Sequence, residues 1–181
     1  ITSPARDDLD DQGAGHFVAC VEALRRDLPA VTVEVLVPDF QGRVDLLERV
    51  FRSRPDVFNH NLETVRRLTP RVRARATYDR TLSVLAAAAG AGLHVKSGLM
   101  VGLGETSKEL DEAFRDLSGA GVRSLTVGQY LPPSSDHHPV DRFYTLPEFE
   151  ELRRRAAPLF EKAMVGPLVR SSYHADDMVN S

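Results

Sequence analysis

The sequence predicts an α/β fold with a parallel sheet and right-handed crossovers. Three observations predict it. Strand-like and helix-like segments alternate from end to end, the strand candidates are rich in β-branched and apolar residues, and nearly all of them end in polar side chains. In β/α barrels the carboxyl ends of the strands build the active site, so this pattern is the layout of a single-site enzyme.

From Gly13 to Leu28, Phe17, Cys20, Val21, Leu24 and Leu28 recur at helical spacing. Val31 to Val37 is a β-branched run stopped by Pro38, and Arg43 to Phe51 has helical spacing again. Asp56 to Asn61 (DVFNHN) is a short strand with a polar end. An alanine-rich helix from Tyr78 is stopped by glycine, and His94 to Glu105 (HVKSGLMVGLGE) is a strand running into a glycine-bearing turn. Thr106 to Glu109 is a capping box that opens a helix with Leu110, Ala113, Phe114 and Leu117 on one face. Ser124 to Leu131 reads as a strand, followed by a proline-rich loop and a second capping box, Thr145 to Glu148, on the last long helix. LVRSS (Leu168 to Ser172) is the candidate for a final strand.

The 181 residues suit one domain, and 42% hydrophobic with 27% charged residues is ordinary for a globular chain. A net charge of -3 supplies no positive field for nucleic acid, and no apolar run approaches a bilayer span, so neither nucleic acid nor membrane is expected as a partner. One cysteine excludes an internal disulfide framework and fits a reducing compartment. The opening ITSPARDD has no initiator methionine and no signal-peptide pattern; it reads as a strand end running into a loop, as if the chain begins inside a larger protein.

Several residues carry possible chemistry, each beside a plainer role. Cys20 lies on the apolar stripe of the first helix and reads as a buried, inert thiol. Lys96, inside an apolar strand, is a Schiff-base former, a holder of an anionic group, or a lysine snorkelling to the rim. Gly98, Gly102 and Gly104 allow close approach of a ligand or only a tight turn. Asn59 and Asn61 project to one side of their strand and can serve a ribose or carboxylate, or cap the next helix. His137 and His138 sit in the proline-rich loop without an evident third ligand, which fits a solvated loop. Arg66, Arg67, Arg71, Arg73 and Arg75 form a solvated basic face or steer an acidic partner. Ser172, from the sequence alone, reads as a hydroxyl in a C-terminal turn.

Taken in order, DDL…GA.HF, VPDFQGR, PDVFNHNLETV, KSGLMVGLGET, VGQYLPPS and GPLVRSSYHAD span nearly the whole chain and together resemble the lipoyl synthase family of radical S-adenosylmethionine enzymes. The resemblance implies a partial β/α barrel, of which this chain is the C-terminal part: a single incomplete domain over residues 1–181 with an RSSY tail at 170–173. It implies sulfur insertion at C6 and C8 of an octanoyl group on a carrier-domain lysine, driven by a 5′-deoxyadenosyl radical. The implied cofactors are S-adenosylmethionine and two 4Fe–4S clusters. The implied partners are octanoylated lipoyl carrier domains of 2-oxoacid dehydrogenase complexes or the glycine-cleavage carrier protein, with a ferredoxin or flavodoxin as electron donor. The location that goes with it is cytoplasmic, or the mitochondrial matrix in a eukaryote.

Residue by residue, the resemblance makes Ser172 the oxygen ligand of the auxiliary cluster, with Arg170 and Tyr173 beside it as catalytic-site groups. It places Asn59, Asn61, Lys96, Ser97, Met100, Gly102 and Glu105 around S-adenosylmethionine, with Asn61 on the ribose or methionyl group and Met100 and Gly102 on adenine. Arg6, Asp8 and His174 fall near the substrate. The family's CxxxCxxC motif and its second cysteine trio are both missing from this sequence, and Cys20 matches neither. Because thiolates hold such clusters, the chain alone is expected to be inactive. The alternatives are a non-catalytic module that holds S-adenosylmethionine or a carrier domain, and a metal-free aldolase working through Lys96.

Overall fold

The computed structural model describes residues 1–73 and 75–172. In chain order it contains α1 (Ala14–Asp27), β1 (Glu34–Leu36), a 3-10 turn (Phe40–Gly42), α2 (Val44–Arg52), β2 (Val57–Asn59), α3 (Thr69–Val72) and α4 (Tyr78–Gly90). There follow β3 (His94–Val101), α5 (Ser107–Gly119), β4 (Ser124–Gln129), α6 (Leu146–Ala156) and β5 (Lys162–Gly166). The five strands form one sheet, all parallel, in spatial order β1-β2-β3-β4-β5. Spatial order equals chain order, so every crossover steps the same way, and crossovers of one hand put the helices on one face. The opposite face is left as the inner wall of a partial barrel.

Side chains alternate along a strand, so the register sorts residues onto the two faces. Val35, Phe58, Val95, Leu99, Val101, Leu125 and Val127 join the core with Phe17 and Val21 of α1, Val50 of α2, Leu85 of α4, Phe114 of α5 and Phe149 of α6. The inner wall is stacked in layers. Glu34, Val57 and His94 are lowest; Leu36, Asn59, Lys96, Ser124 and Lys162 come next. Above them lie Gly98, Thr126 and Met164, and then Met100, Gly128 and Gly166.

Both capping boxes form. Thr106 Oγ1 accepts from Glu109 N at 3.3 Å while the Glu109 carboxylate accepts from Thr106 N at 2.8 Å, and Glu148 accepts from Thr145 N at 2.7 Å.

Two expectations about the fold need correction. The last strand is Lys162–Gly166, not LVRSS: the chain reverses after Gly166, with Val169 N–H donating to Gly166 O at 3.2 Å. Cys20 is half-buried, not buried, and lines a surface hollow with Ile1, Leu9 and Phe17. The basic run is a solvated face for Arg66, Arg67, Arg71 and Arg75, as expected, and its charges are largely paired, with Arg66 on Asp79, Arg67 on Glu109 and Arg75 on Asp7 at 2.5–2.7 Å.

His60 faces the helices. One ring nitrogen meets Val37 O at 2.8 Å and the other meets Thr81 Oγ1 at 3.3 Å. Burial pushes its imidazole down to about 4. An unfolded histidine takes its proton near the ordinary 6.5, so between these values the unfolded state binds more protons. Stability is therefore fully present above that window and falls as pH drops through it. At about 1.4 kcal/mol per pH unit the loss is on the order of 3 kcal/mol. Urea unfolding at a series of pH values should show this slope in the parent chain and lose it in His60→Gln. Equal slopes would count against the assignment.

Candidate functional site

β2 is only three residues long, whereas β3 has eight. The chain beyond β2 returns to fill the gap. Glu63 N–H donates to Gly98 O at 2.9 Å and Glu63 O accepts from Met100 N–H at 2.8 Å. To do this Glu63 adopts φ 70, a left-handed conformation that costs a non-glycine residue about 1–3 kcal/mol and recurs at functional sites. The loop so held puts Asn61 and Glu63 on the rim of the inner wall.

A cavity of about 120 Å³ opens there, lined by Asn61, Glu63, Gly98, Met100, Thr126, Gly128, Gln129, Arg170 and Ser171. A neighbouring space of about 290 Å³ shares Asn61 and Glu63 and reaches Arg73, Leu36, Pro38 and Ser3. Asn61 Oδ1 and Asn59 Oδ1 are both buried acceptors with no partner among the described residues. An unsatisfied buried acceptor costs about 1–3 kcal/mol, so a donor from a ligand would be strongly favoured.

Two ionisable groups face each other at this rim. Burial raises the Glu63 carboxyl, against the opposing pull of the Arg73 charge and a hydrogen bond from Asn61. Arg73 is held through Nη1 by Asn61 O and Thr81 Oγ1, each at 3.1 Å. Burial lowers its guanidinium, and among the described residues no carboxylate stands within ion-pairing distance. The arrangement offers a fixed cation, a carboxylate and an orphan amide oxygen on one rim.

Of the residues expected at the site, Asn61, Met100 and Arg170 line the cavity. Asn59 and Lys96 lie one layer below Gly98. Glu34 joins them, accepting from Asn59 Nδ2 at 2.7 Å and from Lys96 Nζ at 3.0 Å. The Lys96 side chain is 0% exposed, so it does not snorkel. Ser97 faces the helices, where its hydroxyl accepts from Leu62 N–H at 3.2 Å.

Glu105 is spent on the turn after β3. It accepts from Gly102 N–H at 2.8 Å, Leu103 N–H at 2.9 Å and Tyr144 Oη at 2.8 Å. Gly102 has φ +99, and a side chain there would run into Gln129 and the Arg142 carbonyl. Arg6 and Asp8 are exposed and paired with each other at 2.6 Å, and Ser172 is exposed. Tyr173 and His174 lie outside the described residues.

Glu63 and Arg73 are site residues the sequence reading did not single out as binding groups. The string FNHNLET held the signal for Glu63, two positions beyond Asn61. Arg73 was hidden among five nearby arginines, and only burial separates it from them.

A partial parallel barrel with its cavity at the carboxyl ends of the strands defines the class. The radical SAM superfamily model matches residues 1–117, and the chain belongs to that superfamily. Within it, the relatives are lipoyl synthases. The protein of that name from Symbiobacterium thermophilum is 54% identical over 180 residues, covering 98% of this chain and 56% of the relative. That from Parabacteroides distasonis is 50% identical, covering 97% and 63%. The chain thus spans a little more than half the length of these relatives. Solved structures share the fold at low identity. A domain of the pyruvate-formate lyase-activating enzyme from Bacteroides vulgatus has TM-score 0.64 at 11% identity, covering 92% of this chain and 98% of that one. Streptococcus suis SuiB bound to S-adenosylmethionine has TM-score 0.63 at 11% identity, covering 91% and 38%.

Proposed function

We propose that this chain is the S-adenosylmethionine-holding part of a lipoyl synthase, a sulfurtransferase that inserts two sulfur atoms at C6 and C8 of an octanoyl group on a carrier-domain lysine. The observation that carries this reading is the rim of Asn61, Glu63 and Arg73, in a chain about half identical to lipoyl synthases. The residues fit the cofactor. A carboxylate and an orphan amide oxygen suit the donors of a ribose diol, and a guanidinium that makes no close ion pair among the described residues suits the methionyl carboxylate. Met100 and the backbone toward Gly102 offer an apolar edge for adenine. When bound, S-adenosylmethionine supplies the hydrogen-abstracting chemistry of the superfamily. The chain's own residues bind it, orient it and hold its carboxylate.

The clusters are a different case. Among the described residues no three His, Cys, Asp or Glu side chains stand together as metal ligands, and the sequence has one cysteine. Thiolates hold iron–sulfur clusters, so these residues do not build one, and no step is derived through it. Ser172 can contribute at most one oxygen donor. The proposed partners are an octanoylated carrier domain and a small electron-transfer protein, in the cytoplasm or the matrix.

The test is conversion of an octanoyl-lysine peptide to the lipoyl form by the iron- and sulfide-reconstituted full-length protein, read by mass spectrometry. Product is expected, and its loss in Arg73→Gln is expected to follow weakened cofactor binding. Cofactor binding without any product would leave only a holding module.

A further inference from the structure

Beyond β5 the chain turns between Gly166 and Val169 and runs back over the inner wall. Val169 is buried, and its backbone lies directly on Gly128 of β4. A side-chain carbon at 128 would overlap the Val169 carbonyl oxygen and stand 3.2 Å from Arg170 Nη1. The same carbonyl accepts from Arg170 Nη1 at 2.8 Å, so the arginine folds back onto its own strap at the point where that strap lies on Gly128. The φ of Gly128 lies outside the left-handed range, so backbone conformation does not require glycine here. Space requires it. Gly166 is in register with Gly128 on the next strand, and a side-chain carbon there would meet Val169 Cγ2 at 3.4 Å, an ordinary contact.

We infer that Gly128 is the positioning residue of this strap: its bare Cα is the seat that lets residues 166–171 close the cavity, and so sets where Arg170, Ser171 and Ser172 stand. The chemical consequence rests on the lipoyl synthase reading; the placement of the strap does not. An added methyl forces the strap to shift, which is expected to raise its opening equilibrium about tenfold.

The experiment is Gly128→Ala in the full-length protein, with Gly166→Ala as the matched control. Deuterium uptake over 166–172 and trypsin cleavage after Arg170 are expected to rise about tenfold in Gly128→Ala and to stay at the parent level in Gly166→Ala. The number of 5′-deoxyadenosine molecules made per lipoyl group is expected to rise by a similar factor, a split that simple loss of folded protein does not produce. Val169→Gly frees the strap from its other side and leaves β4 untouched, so it is expected to shift the same readouts should Gly128→Ala fail to fold. Parent-level uptake and cleavage in Gly128→Ala, or in Val169→Gly if that is the variant that folds, overturn the inference. Ser172→Ala separates the two ideas: if it still makes product, the reading of Ser172 fails, while the seat at Gly128 is judged on exchange alone.

Discussion

Lys96→Met is expected to cost about 3–5 kcal/mol of folding stability, because it leaves Glu34 facing a buried wall without its cation. Lys96 is fully enclosed, and Glu34 is the carboxylate on its ammonium at 3.0 Å. Glu34 also accepts from Asn59, so the three form one network in the lower half of the inner wall. Glu34→Gln should be comparably damaging from the other side, since it strands the lysine. The double variant Lys96→Met/Glu34→Gln removes both charges and should recover part of the loss, with a coupling of about 1–3 kcal/mol. Urea unfolding of the four proteins measures this. Additive losses would show that the pair is not coupled. The same geometry bears on aldolase chemistry: a lysine with no exposed surface and a carboxylate on its nitrogen is poorly placed to meet a carbonyl, and borohydride should trap no adduct on it.

Glu63→Gly is expected to weaken S-adenosylmethionine binding about 10- to 100-fold, the loss of hydrogen bonds to a charged acceptor worth about 1.5–3 kcal/mol. The thermal midpoint should hold or rise. Glycine adopts φ 70 freely, so the substitution relieves the strain that the native residue carries in bridging β2 to β3. A parallel Glu63→Gln keeps the strain and removes the charge, and should weaken binding without raising the midpoint. Equilibrium binding on the full-length protein gives the first quantity and calorimetric melting the second. A residue kept only for folding would move both together, so a fall in midpoint that tracks the affinity would sink the assignment.

The fold was largely legible because its signals are local. Helical spacing in α1, α4 and α5 and two capping boxes set the alternation, and alternation of this kind implies a parallel sheet. The elements that misled are those with weak local signals. KAMVG has two small residues and a lysine, so its local signal for β5 is weak beside that of LVRSS. Proline and glycine before that segment reverse the chain, and reversal puts it on the inner wall. The four-residue α3 is too short to show a period.

The amino-acid order alone determined which segments alternate, that the strands end in polar groups, and which family the motifs resemble, because periodicity, capping and motif spacing act between near neighbours in the chain. Only the tertiary structure decided that Glu63 and Arg73 share a rim with Asn61, that Lys96 is neutralised below it by Glu34, and that Gly128 is bare so that the tail can cross it. Burial, charge pairing and close approach depend on residues 12 to 62 positions apart meeting in space, and no local pattern encodes which of several arginines or glycines will meet which partner.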